Sequence, residues 1–583
     1  MILNKHIPAL SALLLCVCLV FCGLFVYAAS ASDAAYIPEY QKRLFGDEIL
    51  TIDIQVAEES WQSLKGNAMA KEWICGDLVV NGQRFSSVGI RAKGNSSLMQ
   101  VGRQENGRYS LQFKFNRFVK GQTCYGLDAF CINNMLGDAT YMKDYLSYDI
   151  MKYIGVASPL ANYANVTVNG EAYGFFVALE RYEKAFLGRA FGTSSGQLYN
   201  VKIQMGMRQN FEDMFQDGLA GLPNWELGEF PDRQRGEFPD RQRGGMGGFP
   251  GRESGGGSLI YTGEDPERYS SIFNNAVFNR NSDKDKQRVI TAIENLNAGT
   301  DLEKYFDVDA ILRYFAAHTM VVNLDSYVSN MQQNYYIYER DGKLSILPWD
   351  YGLAFGGFQS GSASSVVNFP IDTPVSGVAM ESRPLLSKLF EVSEYLEKYH
   401  EYLHQIAEGY FNSGLFEERI KELDVKINQY VKNDVSAFFT HEQYEAALPH
   451  LANLGRLRAE SVKGQLNGTV PATTAGQDAD SSSLVDAGAV DLAALGSMMG
   501  GMRPGGEGGG FGRPGGGMEG IDMDLMRQAM QILMDAGGEL TDEVRIALID
   551  LGFTEEQVAM FEEMQNRRPG GGGFNRTPLP NNW

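Results

Sequence analysis

Asn323-Leu324-Asp325-Ser326-Tyr327-Val328-Ser329-Asn330 precedes a Tyr-rich strand at 335–338, after which the chain reads Pro348-Trp349-Asp350-Tyr351-Gly352. This stretch puts one carboxylate, Asp325, before a short β-hairpin and another, Asp350, after it, with side-chain amides at Asn330 and Asn334. Phosphoryl transfer needs such a set: one carboxylate to take the hydroxyl proton, a second with an amide to hold a divalent cation against the phosphates. The apolar run Leu344-Ser345-Ile346-Leu347 predicts a buried strand that delivers Asp350 at its end. A carboxylate placed there is costly unless a metal or cation compensates it.

Working back toward the N-terminus, the pattern from about 48 to 118 is short and β-like. Apolar runs at 50–56 and 78–80, an Asn81-Gly82 turn and a run at 87–92 predict a hairpin. The alternation of Tyr109-Ser110-Leu111-Gln112-Phe113-Lys114-Phe115 predicts a strand with Gln112 and Lys114 on one face. Residues 138–154 read as an amphipathic helix, with Tyr141, Tyr145, Tyr148 and Met151 at helical spacing, and a second hairpin turns at Asn169-Gly170 and ends in Glu180. Helical patterns then dominate 264–319 and 384–465. The expected fold class is therefore α+β and two-lobed: a small β-rich N-lobe at 48–203 and a larger helical C-lobe at 264–468 that carries the carboxylate motifs.

Between these halves the composition changes. Gly228-Glu229-Phe230-Pro231-Asp232-Arg233-Gln234-Arg235 is repeated identically at 236–243, and a Gly-rich run follows. Such a polar repeat cannot offset its ordering entropy by burial, so 204–263 is expected to be a disordered insertion. Past Thr469 the chain is rich in Ala, Ser, Gly and Pro, which predicts a linker at 469–522, a small helical module at 523–566 and a disordered tail at 567–583. At the other end, Lys5 and the apolar run at about 7–28, followed by Ala29-Ser30-Ala31, read as a secretory signal over 1–31 or as an uncleaved membrane anchor. Either places the rest outside the cytoplasm, secreted or held at the envelope by the N-terminus or the acidic tail.

A formal net charge of −21 argues against nucleic acid as a partner. Beyond the signal only Cys75, Cys124 and Cys131 remain, too few for a disulfide scaffold, although Cys124 could pair with Cys131. No His-Glu-x-x-His, paired Cys-x-x-Cys or Gly-x-Ser-x-Gly occurs, so zinc and serine hydrolase chemistry has no support. Lys114 is a candidate for holding nucleotide phosphates, or a surface strand lysine, and Asp144 is the acid expected to orient it. Gly89-Ile90-Arg91-Ala92-Lys93-Gly94-Asn95-Ser96-Ser97 offers Arg91, Lys93 and the groups at Asn95 and Ser96 to a polyanion, or is a structural turn. Glu180 stands where a hinge could meet a nucleotide base; a capping role fits it equally.

Several of these segments together resemble the spore coat protein H (CotH) kinase family: Gly89 through Ser97, Tyr125-Gly126-Leu127, residues 138–155, Val168-Asn169-Gly170 to Glu180, Asp325-Ser326-Tyr327 with Asn334-Tyr335-Tyr336, and Leu347-Pro348-Trp349-Asp350. The resemblance runs from about Ile52 to Gly357, with weaker helical agreement to about Gln465. It implies an atypical protein-kinase-like fold, ATP with Mg²⁺ or Mn²⁺, and phosphate transfer to Ser or Thr of surface or coat proteins. Carried onto this chain, it makes Asp325 the base, Asp350 a metal ligand and Lys114 the nucleotide lysine. Its amide matches Asn334, whereas the spacing of a kinase catalytic loop selects Asn330. Asp350-Tyr351-Gly352 likewise resembles the Asp-Phe-Gly metal motif. A different class of function, a catalytically silent coat scaffold of the same fold, also fits the sequence.

Overall fold

Apolar residues alternating with polar ones make β1 (Leu50–Gln55) a half-buried strand: Leu50, Ile52 and Ile54 are buried while the residues between them face outward. It belongs to a closed barrel with β2 (Ile74–Val80), β3 (Gln83–Ala92), β4 (Leu111–Lys114), β5 (Ala129–Asn133), β6 (Ala161–Val168) and β7 (Glu171–Glu180), in the order β1-β2-β3-β4-β5-β7-β6. Every pair is antiparallel except β1 with β6, whose parallel pairing closes the ring. Asn81 and Gly82 both take positive φ (48° and 79°), the turn geometry whose twist matches a two-residue hairpin. Within the barrel, β5 is the strand the sequence did not announce. All five of its residues are buried, so it carries no alternation.

This computed structural model describes residues 37–104, 106–202, 256–278 and 281–498, together with residues 541–551 and a few isolated positions near the C-terminus. The predicted signal at 1–31, the repeats and the tail at 567–583 lie outside the described residues. The chain divides into two units, residues 1–503 and 504–583. In the second, the helix Asp542–Asp550 is capped by Thr541, whose side chain accepts from the Val544 amide.

In the first unit, β8 (Gln197–Val201), β9 (Tyr335–Arg340) and β10 (Lys343–Pro348) form a separate antiparallel sheet in the order β10-β9-β8. Helices Val308–Val321, Ser393–Ile406, Leu415–Lys432 and His441–Leu466 pack with it into a large apolar core, while the barrel interior holds a smaller one. The helix Lys143–Tyr153 touches both β6 and the helix Val308–Val321 and so belongs to both halves. Arg108 joins them again. Its guanidinium lies 2.7 Å from Asp434, with both side chains fully buried, and its Nε donates to the Asn134 carbonyl at 3.0 Å.

Two boundaries differ from the composition reading. Residues 256–263, assigned to the insertion, include buried Ser258 and Leu259 and accept hydrogen bonds from Tyr335 and Tyr327 hydroxyls at the Gly257 and Ser258 carbonyls. A Cβ at Gly257 would come within 2.7 Å of the Gln332 carbonyl oxygen, so glycine here serves close packing. Residues 469–498, assigned to a linker, lie against the helical half through buried Val470, Ala487, Val490 and Leu495, and Val485 exchanges hydrogen bonds with Asn368. Widely spaced anchors of this kind leave no periodic trace in sequence. Cys75, Cys124 and Cys131 are free thiols, with no Cys124–Cys131 bridge.

Candidate functional site

Three turns converge between the barrel and the helical half. The first continues β3 past Ala92. Lys93 bonds through its amide to the Ser110 carbonyl (2.8 Å), its Nζ donates to Asn133 Oδ1 at the end of β5, and the ammonium stands 5.6 Å from the centre of the Trp349 ring. The second turn follows the helix Val308–Val321 and carries Asp325. The third is the exit from β10, where Trp349 and Asp350 leave the sheet.

Asn323 joins the second turn to the third: its Oδ1 accepts from the Asp325 amide (3.3 Å) and its Nδ2 donates to the Asp350 carbonyl (3.0 Å). Asp350 has φ 63°, a left-handed conformation that a non-glycine residue holds only when its surroundings insist. Here the Asp350 amide is also tied, to the Tyr148 hydroxyl oxygen at 3.1 Å. Asn334, with φ 61°, donates its Nδ2 to both the carbonyl and the Oδ2 of Asp325, at 2.7 and 3.0 Å, while Gln333 donates to Oδ1 at 2.8 Å. Asp144 comes from the barrel side, accepting from Asn133 Nδ2 and from the Tyr351 amide, each at 2.9 Å.

These turns enclose two adjoining cavities. One, of about 140 Å³, is lined by the cations Lys71, Arg91, Lys93, Arg181 and Lys202, by Asp325, Asn334 and Asp350, and by Asn95, Ser96, Gln112, Asn200, Gln333 and Trp349. The other, of about 80 Å³, shares Lys93, Asp325 and Asp350 and adds Asp144, Asn133, Asn134, Met135, Leu136 and Leu353. Met498 lines both. A roomier cavity of about 380 Å³ elsewhere includes Asp149 and Arg189, but those charges are already paired with Arg419 and Glu180, so size does not locate the chemistry.

Met498 reaches the cavities on the segment 469–498. The Leu495 carbonyl accepts from the Ala139 amide (3.1 Å), and the Gly496 carbonyl accepts from the buried Lys143 Nζ (2.9 Å), which also donates to Gly137 O (3.0 Å). A Cβ at Gly496 (φ 77°) would meet Phe439 at 2.9 Å and the Ala139 amide nitrogen at 3.0 Å, so the crossing requires glycine.

Burial and like charge perturb both the acids and the cations of the lining. Burial, and then the Asp350 carboxylate, push Asp325 up to about 6 despite its hydrogen bonds to Gln333 and Asn334. Burial and Asp350 likewise push Asp144 up to about 7, against the pull of Asn133 and Lys93. Burial and the neighbouring Arg181 and Arg117 pull Arg91, also in the lining, down to about 10. Carboxylates and cations crowded around the same cavities describe a place that fits both a cation and an anion. Among the described residues no three His, Cys, Asp or Glu side chains form a metal cage by themselves. Mg²⁺ rarely uses one: it takes one or two carboxylates and completes its shell with water and phosphate oxygens, a demand that the hard oxygens of Asp350 and its neighbours meet.

Of the residues the sequence singled out, Asp325, Asp350, Asn334, Asp144, Arg91, Lys93, Asn95 and Ser96 line these cavities. Three do not. Lys114 pairs with Glu183 at 2.9 Å, not with Asp144, because the β3–β4 register sets it opposite Gly89, at roughly 3.3 Å per residue well back along the sheet from Lys93. Glu180 is fully buried against Arg189 (2.6 Å) and the Tyr40 hydroxyl (2.8 Å), where it anchors the N-terminal helix Glu39–Leu44. Asn330 is exposed and lines neither cavity. Asn133, Arg181, Lys202 and Met498 escaped the sequence reading. Arg181, directly after Glu180 and 4.8 Å from the centre of the Trp349 ring, was the most legible of them.

Two comparisons bear on this arrangement. The family described as CotH kinase protein matches residues 90–462. The chain is also similar to the inner spore coat protein H of Bacillus subtilis (strain 168), 21% identical over 329 residues that cover 55% of this chain and 75% of that protein. The family match spans β10 and the turns around it and ends before the segment that carries Met498. Among the described residues no helix is long and apolar enough to cross a membrane.

Proposed function

The chain belongs to the CotH kinase protein family, and from that premise we propose that its cleft transfers the terminal phosphate of ATP, with Mg²⁺ or Mn²⁺, to Ser or Thr of a surface or spore-coat protein. One observation carries the reading: Asp325 and Asp350 line the same cavity as Lys71, Arg91, Lys93, Arg181 and Lys202. A triphosphate suits these cations, whose guanidinium groups can grip phosphate oxygens in pairs. Asp325 takes the proton from the acceptor hydroxyl as its oxygen bonds to the γ-phosphorus and the bond to the bridging β,γ-oxygen breaks, releasing ADP. Gln333 and Asn334 orient that carboxylate, and the bonds from Asn334 Nδ2 leave its carbonyl oxygen available to a neighbouring cation. Asp350, with Asn334 beside it, would hold the divalent ion, whose chemistry is to neutralise charge on the phosphate oxygens. The inner spore coat protein relative supports a coat or surface protein as acceptor.

Incubation of the purified chain with labelled ATP and Mn²⁺ tests the reading: label should move to a protein acceptor, and its absence together with no nucleotide-dependent rise in melting temperature would favour a silent scaffold. Two lysines test where the nucleotide sits. Lys93→Met should weaken nucleotide binding by about tenfold, roughly 1.4 kcal/mol, while Lys114→Met should change it less than about twofold. Titration calorimetry with ATP and Mn²⁺ reads both, and the reverse ranking would return the nucleotide to β4.

A further inference from the structure

We propose that His318 is a positioning residue that fixes the relation of Asp325 to Asp350 by tying together the residues that follow them. The inference rests on the phosphotransfer reading of the cleft. His318 lies on the helix Val308–Val321 and is 1% exposed. Its Nδ1 is 2.7 Å from the Tyr351 hydroxyl and its Nε2 is 3.1 Å from Ser326 Oγ. One imidazole therefore spans from the residue after Asp325 to the residue after Asp350.

One assignment of protons satisfies both bonds with a neutral ring. The single Ser326 hydroxyl proton goes to the Asn323 carbonyl at 2.7 Å, so Ser326 Oγ accepts from His318 Nε2–H. Nδ1 is then the acceptor for the Tyr351 hydroxyl. Burial pushes the His318 pKa down to about 3, which keeps the ring neutral and the bridge unchanged across the physiological range.

The bridge works in parallel with Asn323, which joins the backbones of Asp325 and Asp350. Asn323 constrains main chain; His318 constrains the side chains one residue further on. Tyr351 is thereby held twice, by Asp144 at its amide and by His318 at its hydroxyl. Neither Ser326 nor Tyr351 lines the cavities, so these bonds act on substrate only through the two carboxylates. A misplacement of about 1 Å between reacting groups can cost roughly 10²-fold in rate, which is the scale on which such a bridge matters.

The test compares His318→Phe, which fills the space without polar atoms, with His318→Gln, whose amide can donate and accept at similar reach, in the full-length chain. For the Phe variant we expect kcat to fall about 10²-fold with KM for ATP within about threefold, and Mn²⁺ affinity to fall about tenfold. The Gln variant should recover to within about tenfold of wild-type kcat, and Tyr351→Phe, which removes one oxygen and leaves the packing, should show an intermediate loss. Wild-type kcat and Mn²⁺ affinity in His318→Phe, or a Gln variant no better than Phe, overturns the bridge. If the wild-type chain transfers no phosphate, the phosphotransfer reading fails by itself, and Mn²⁺ affinity alone then judges His318: the tenfold loss sustains the bridge, and an unchanged or absent affinity overturns it.

Discussion

Asp325→Asn is expected to lower phosphate transfer by about 10²–10⁴-fold, the usual contribution of a positioned general base, while leaving the chain folded. The substitution keeps the shape and the space of a side chain that accepts from Gln333 and Asn334. It removes the charge that burial and Asp350 make costly. The folded-state pKa is raised to about 6 from an ordinary 3.8, so between these values the folded protein holds more protons than the unfolded chain. The stability this group contributes is therefore present at low pH and is lost as the pH rises from about 4 through 6. At pH 7.5 and without divalent ions, Asp325→Asn should melt higher than wild type by an amount on the order of 1–3 kcal/mol, and the gap should close near pH 4. Adding Mn²⁺ and ATP should raise both melting points and keep the ranking, because the groups assigned to the metal and the phosphates are unchanged in the variant. Thermal melts at two pH values, with and without ligand, check all four cases. A variant that is inactive but less stable at pH 7.5 would mean that Asp325 is held by charge pairing and is not a strained base.

Arg108→Met should cost about 3–5 kcal/mol, since it strands the Asp434 carboxylate in the interior with its partner gone. Asp434 accepts from both Arg108 and the Phe175 amide, and the guanidinium also meets Ser436 Oγ at 2.9 Å. Arg108 lies in the segment leading into β4, whereas Asp434 follows the helix Leu415–Lys432, so the pair ties the barrel to the helical half. The double variant Arg108→Met with Asp434→Leu should regain much of the loss, because a well-packed apolar pair often replaces a buried ion pair at little cost. Denaturant melts of the two single variants and the double one measure the coupling. Independent, additive losses would show that the charges do not depend on each other.

Much of the site was legible because its chemistry sits at strand ends, where an apolar run stops at a polar residue. Asp350 after β10 is of this kind, and so is Lys93, which follows the last residue of β3, while Asp325 stands just past the end of an apolar helix. The reading failed where the answer depended on register. Alternation correctly placed Gln112 and Lys114 on one face of β4, but only the pairing of Gly89 with Lys114 and of Ala92 with Leu111 shows which of the two lies near the cavity. Closure of the barrel was hidden for a related reason: β5 is uniformly buried and the β1–β6 pairing joins distant segments. Composition misjudged 256–263 and 469–498, where small residues mark close approach and a few spaced apolar side chains suffice for docking.

The segment bearing Met498 has a practical meaning for how this protein could be recombined. Its backbone carbonyls at 495 and 496 are gripped by Ala139 and Lys143, next door to Asp144, and it leaves no room for a side chain at Gly496. A chimera that grafts residues 90–462, the span of the family match, onto another C-terminus would thus exchange part of the pocket wall unintentionally. Swaps between relatives should keep 137–144 and 495–498 from the same parent, as lock and key travel together.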